Sequence, residues 1–149
     1  MKYIILLTVA TMLLLLLTGC SGSTPGNLGV RNGQLAPCPG SDNCVSSQAT
    51  DDAHKIAPIP AHGLKEVVMV DLANTIESMF GGNVVELKGN YLRAEFTSRV
   101  WRFVDDLECY YDEANGEIQI RSASRLGYTD FNVNRERVEK LRALFAKRQ

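Results

Sequence analysis

Val100–Ser124 reads VWRFVDDLECYYDEANGEIQIRSAS, and this stretch decides the fold. Two runs rich in β-branched and aromatic residues flank Asn115-Gly116, a dipeptide that supplies the left-handed backbone of a tight hairpin. The pattern predicts a long strand over 100–112, a turn around Ala114–Asn115 and a return strand over 117–124. Strand side chains alternate between faces. Trp101, Phe103, Asp105, Leu107, Cys109 and Tyr111 therefore share one face, and Ile118, Ile120, Ser122 and Ser124 share one on the return strand. Their apolar members mark these as core faces. Asp105 is thus expected to point inward, where a carboxylate is costly unless paired and hydrogen-bonded. The position across the hairpin falls near Ser122 or Ser124, with Arg125 next in the chain. Asp106 is expected to point outward, beside Arg102 and Glu108.

Upstream, "NVVELKGN" and "YLRAEFTS" read as two further strands around Lys88-Gly89-Asn90. Before them, Leu64, Val67, Val68, Leu72, Ile76, Met79 and Phe80 recur at helical spacing, and Gly81-Gly82 ends that run. After the hairpin, Val138, Leu141, Leu144 and Phe145 form one helical stripe within 134–147, with Asn134 expected as its N-cap. This order predicts a single α+β domain: roughly four antiparallel strands packed by an N-terminal and a C-terminal helix.

The chain of 149 residues opens on Met1-Lys2-Tyr3, followed by the apolar run Ile4–Leu17 and Leu17-Thr18-Gly19-Cys20. A lysine, a short apolar run and small residues before a cysteine resemble a bacterial lipoprotein signal. The resemblance implies a signal peptide over 1–19, cleavage before Cys20 and lipid on Cys20. Ser21, in place of aspartate, is similar to the outer-membrane sorting pattern of enteric bacteria. The expected location is the cell envelope, lipid-anchored in the outer membrane and facing the periplasm. Residues 20–36 are expected to form a flexible tether, because Ser21–Gln34 is rich in Gly, Ser, Asn and Pro. Residues 37–149 are expected to form the globular domain.

"CPGSDNC" places Cys38 and Cys44 around turn-forming residues. In an oxidising compartment that spacing predicts a small disulfide loop. Neither His54 nor His62 lies at a zinc-ligand spacing from the pair, so no metal is expected. Cys109 reads as a buried thiol. The 16 basic and 17 acidic residues nearly cancel, which gives nucleic acid no electrostatic foothold.

The stretches "LAPCPGSDNCVSSQA", "FVDDLE" and "RSASRLGYTDFNVNRERVEKLR" resemble the bacterial domain of unknown function 1499 family, in that family's order, over Leu35 to Phe145. The resemblance implies a compact, often lipid-anchored or membrane-associated domain, and it brings no established activity. Cys109 stands where the family pattern implies an apolar residue, which supports the pairing of Cys38 with Cys44.

The polar stretch Arg121–Arg137 supports two readings. Arg121, Arg125 and Arg135 are fork-shaped donors for carboxylate or phosphate. With Asp105, Ser122, Ser124 and a helix start near Asn134, they would make an anion site. The same side chains are equally suited to holding an irregular strand-to-helix connection in place. The expected function is a cell-envelope lipoprotein acting as a non-enzymatic structural or binding module. Its partners would be the membrane, through the lipid, and a small anionic ligand or an envelope protein. No cofactor and no catalytic residue is expected: Asp105 and Asp106 point to opposite faces, and both histidines lie far away in sequence. The alternatives are a hydrolase-type envelope enzyme and a partner-docking protein.

Overall fold

The computed structural model describes residues 22–149. Cys20 and the expected signal peptide lie outside the described residues. No described helix is long and apolar enough to cross a membrane.

The elements in chain order are β1 (Cys44–Ser46), β2 (Ile59–Pro60), α1 (Lys65–Ser78), β3 (Gly82–Lys88), β4 (Tyr91–Thr97), β5 (Val104–Asp112), β6 (Glu117–Ser124) and α2 (Val133–Phe145). The fold is α+β, in one domain. The expected meander is present as β3-β4-β5-β6, antiparallel throughout. The sheet has six strands rather than four, because β1 and β2 both pair along the outer edge of β6. Three-residue and two-residue strands leave too little alternation to be read from sequence. Between them Ser47 stands in for the missing ladder. Its N–H donates to Ile120 O at 2.8 Å, and its Oγ accepts from Ile120 N–H at 2.8 Å.

The β5–β6 turn follows the chemistry of Asn115-Gly116. Asp112 accepts from the Asn115 backbone N–H and side-chain amide, and Gly116 takes the left-handed conformation at φ 65°. A side chain at 116 would also crowd the His62 ring. The strand before the turn starts later than its apolar pattern suggested. Arg102 is left-handed at φ 57°, so β5 begins at Val104, and Trp101 and Phe103 lie exposed in the β4–β5 loop.

Both helices cover one face of the sheet. Val68, Met69, Leu72 and Ile76 of α1 and Val138, Leu141 and Phe145 of α2 meet Leu92, Ala94, Phe96, Leu107, Cys109, Tyr111, Ile118 and Ile120. This is the core face that alternation placed on β5 and β6.

The opposite face is not solvated. Asp106 is 1% exposed and Glu108 0%, which corrects the expectation that Asp106 points into solvent. The chain before Cys38 lies across that face. Gly22 abuts the side chains of Arg125 and Leu126, and Gly29 donates its N–H to Glu108 Oε1 at 2.7 Å. Arg31 and Gln34 exchange backbone bonds in a tight turn. Over its described part, the stretch expected to be a random-coil tether is therefore laid against the sheet. Its composition forbids an apolar core of its own, but its backbone donors suit a charged face. Cys38 and Cys44 form a disulfide that closes this segment onto β1, and Cys109 is a buried free thiol.

Candidate functional site

The outer face of the sheet carries a ladder of charge. Alternation places Arg93 and Glu95 of β4, Asp106 and Glu108 of β5, and Arg121 of β6 on it, with Arg125 just beyond the strand. Register then sets the pairs: Arg93 opposes Glu108, Glu95 opposes Asp106, and Glu108 opposes Arg121. Arg125 grips Asp106 with two bonds, Nε to Oδ2 at 2.7 Å and Nη2 to Oδ1 at 2.8 Å, and reaches Glu95 Oε1 with Nη2. Arg93 Nη1 bonds Glu95 at 3.2 Å and Asp106 at 3.4 Å. Glu108 accepts from Arg121 Nη1 at 3.2 Å, the Tyr91 hydroxyl at 2.8 Å and the Gly29 N–H.

Three arginines thus face three carboxylates, and the network is neutral. Its electrostatics are consistent from both sides. The Arg125 hydrogen bond holds the Glu95 carboxyl below its ordinary value, and Asp106 raises Arg125 above its own. Burial, and then the Glu108 charge, push Tyr91 upward, so its hydroxyl stays a donor. Arg121 Nε is a buried polar atom without a partner among the described residues. It lies beside a cleft of about 350 Å³ under Pro25, Asn27 and Pro37. With the local charge already balanced, a neutral acceptor suffices there.

A second, smaller network lies under the helices. Asp105 pairs with Arg137 Nη2 at 2.5 Å, and Arg137 Nη1 donates to Ser122 Oγ at 3.0 Å and to Asn134 Oδ1. Asn134 is fully buried and is not the N-cap of α2. It is the second residue of the helix, in its first turn. Its amide bonds Asn43 O, Ser124 Oγ and Asp130, and its Oδ1 accepts from Ser122. Asp130 holds the helix start instead, accepting the backbone N–H groups of Asn132 and Asn134. Asn132, at the cap position, is left-handed.

The expected anion site is therefore not assembled. Asp105, Ser122, Ser124 and Asn134 do come together, with Ser124 opposite Asp105. Arg121 and Arg125 lie on the other face of the sheet. Arg135 lies apart from both, clamping the 53–58 loop through the carbonyls of Ala53 and Lys55 at 2.8 Å each, as Arg142 does with Ala57 and Pro58. The partners missed from sequence are Arg137, Glu95, Arg93, Glu108 and Tyr91. The available signal was parity: odd-numbered residues of β4 and β6 share a face with even-numbered ones of β5. Arg137 follows Asn134 at helical spacing.

One cleft opens at the end of the sheet where β4 ends and β5 begins. It measures about 370 Å³ and is lined by Phe80, Phe96, Arg99, Val133, Arg137 and Lys140, among others. The Arg99 guanidinium stacks on the Phe80 ring at 4.6 Å, and that of Arg137 on Phe96 at 4.7 Å. Arg99 and Lys140 make no ion pair among the described residues. Among the described residues no group of three or more His, Cys, Asp or Glu side chains is placed to hold a metal ion. Cys109 is fully buried, and burial raises its thiol well above the ordinary value, with Glu108 adding to the shift.

No curated protein and no solved structure matches the chain. The family model described as protein of unknown function (DUF1499) matches residues 34–145, the whole hairpin, the ion pairs of both networks and the second helix included, and the chain belongs to that family.

Proposed function

We propose that the protein is a cell-envelope lipoprotein, anchored through Cys20 in the outer membrane and facing the periplasm, whose folded domain is a structural or binding module rather than a catalyst. The observation that carries the second half is the closure of the polar networks. Arg121, Arg125, Arg137, Asp105, Asp106 and Glu108 neutralise one another, and a buried network of this kind fixes geometry more readily than it turns over substrate. The first half rests on Leu17-Thr18-Gly19-Cys20, and the Cys38–Cys44 disulfide suits an oxidising compartment.

The test is metabolic labelling with a clickable fatty acid, followed by membrane fractionation of wild type and Cys20→Ala. Label and outer-membrane recovery in the wild type, both lost in the variant, support the reading. Label that persists in Cys20→Ala overturns it. Should the domain take a small anion, the end cleft with Arg99 and Lys140 fits better than Arg125 and Arg135, whose donors are engaged, or Arg121, whose charge is balanced by Glu108. An anion-specific rise in melting temperature that Lys140→Gln abolishes would support that reading.

A further inference from the structure

Exposed aromatic side chains gather at one end of the molecule. Among the described residues, Phe80, Trp101, Phe103, Tyr128 and Phe131 are the exposed aromatics. All lie where β4 and β6 end, β5 begins and α1 gives way to β3. Trp101 is 71% exposed, Tyr128 87% and Phe131 85%. The opposite end carries the Gly89–Asn90 and Glu113–Gly116 turns and, although Leu64 and Leu87 are exposed there, no exposed aromatic side chain among the described residues. Exposed aromatic side chains gathered at one end mark an interaction surface.

The backbone holds this rim open. Arg102 and Phe131 are both left-handed, at φ 57° and 55°, a conformation uncommon for bulky residues. The 126–132 loop is in turn pinned from below by Asn43 Nδ2 on Gly127 O at 2.6 Å and by Asp130 on the helix start. Residues kept in such conformations, with apolar side chains in water, persist because the surroundings over-determine them.

The chain itself says what covers the rim. Gly22 rests against Arg125 and Leu126, at the root of the same loop. Gly22 is the first described residue, and Cys20 precedes it by two positions in the sequence. The apolar run Ile4–Leu17 comes just before. The described part of the chain thus begins at the aromatic end, so an anchor at Cys20 would tether the domain from there. Arg99 and Arg102 are exposed in the same loop as Trp101, which suits anionic headgroups. Tryptophan and tyrosine are the side chains that favour the boundary between acyl chains and water.

We propose that this rim, formed by the 98–103 and 126–132 loops, docks on the bilayer surface, with Trp101, Tyr128 and Phe131 in the headgroup region and Arg99 and Arg102 on anionic lipid. The domain then stands on the membrane in one orientation, with its sheet end-on and its polar turns pointing away. The inference rests on the reading of the chain as anchored at Cys20.

Trp101 is the single tryptophan of the chain, so its fluorescence reports the rim alone. The full acylated protein, purified from membranes, would be reconstituted into phosphatidylethanolamine–phosphatidylglycerol vesicles. Measurements would be made with and without bromine on the acyl chains near the headgroup. The expected result is co-flotation with the vesicles, a blue-shifted emission and loss of most of it in brominated vesicles. Tyr128→Ser/Phe131→Ser, which touches only exposed side chains, should still float but lose most of the shift and quenching. Protein that floats while Trp101 stays unquenched overturns the docking and leaves the anchor standing. A blue shift without bromine quenching, the sign of a protein contact, also overturns it. Protein that does not float removes the anchor and the docking together.

Discussion

Adjacent residues Asp106 and Leu107 show how differently the two faces of this sheet are buried. Leu107 meets α1, α2 and an apolar core. Asp106 meets Arg125, Arg93 and a proline- and glycine-rich strap. Both are almost completely inaccessible. The apolar face gains from removing hydrocarbon from water, a term that grows with area and tolerates loose geometry. The charged face must recover the hydration of each ion through aimed hydrogen bonds, so it tolerates no unpaired member. Burial therefore does not separate the faces. What separates them is what happens when one side chain is removed.

The sharpest break of the comparison is Asp106→Ala. It leaves Arg125 and Arg93 to share the one carboxylate of Glu95, an uncompensated buried positive charge, and should lower stability by about 3–5 kcal/mol. Leu107→Ala, through a cavity, falls in the overlapping range of about 2–5 kcal/mol. Denaturant midpoints of the two variants decide the matter. A cost below about 1 kcal/mol for Asp106→Ala would mean a solvated outer face.

Asp105→Ala should follow, at about 2–3 kcal/mol, since Arg137 keeps Ser122 and Asn134 as partners. Strand alternation alone puts Asp105 first and makes Asp106 nearly silent. The strap under which Asp106 lies reverses that order.

Compensation sharpens the contrast further. Arg121→Met should cost about 2 kcal/mol, because Glu108 keeps only Tyr91 and Gly29 as donors. Adding Glu108→Gln should return at least half of that, as removing both charges of a pair does. On the apolar face, Leu107→Ala with Leu141→Ala should show no such recovery. A double-mutant cycle on each pair gives the two coupling energies.

Acid provides a gentler probe. Arg125 holds the folded-state Glu95 carboxyl below its unfolded value. That stabilisation is present above the unfolded value of about 4.3 and fades as pH falls through the lowered folded one. Wild type should therefore lose stability more steeply on acidification from pH 5 to pH 3 than Glu95→Gln does. Equal slopes would detach Glu95 from the network. The smallest effect belongs to Arg135→Gln, under about 1 kcal/mol, because water replaces its bonds to exposed carbonyls. A large loss there would mean that the 53–58 loop is as critical as the charged face.

The helix-covered face was legible because its signal is periodic. Val68, Leu72 and Ile76 recur with the helix, and Leu107, Cys109 and Tyr111 with the strand, so period and face agree. Asp105 was legible for the same reason. The outer face was not, because alternation reports which side a residue takes and not what covers that side. Nothing local in Ser21–Gln34 announces that a glycine N–H will meet Glu108, 79 positions away. Arg121, Arg125 and Arg135 looked like one group because they are close in sequence. Strand parity sends Arg121 and Arg125 to the outer face, and the loop and helix after β6 carry Arg135 away to the 53–58 loop. Arg137 escaped notice because its role depends on the crossing of α2 over β6, which is a tertiary fact. Trp101 was misplaced by the left-handed turn at Arg102, which composition does not encode, Arg102 being neither glycine nor asparagine.

The disulfide between Cys38 and Cys44 has a mechanical meaning. A pull on the N-terminal side of the domain would peel the strap from the charged face first, breaking contacts such as that of Gly29 with Glu108 one after another. The peeling would stop at Cys38, where the covalent ring hands the load to β1 and so to β6, the strand next to it in the sheet. Residues 22–37 then add up to about 50 Å of slack before the core bears force. The strap would thus behave as an extensible fuse, yielding under tension and resealing over the buried charges when the tension is released.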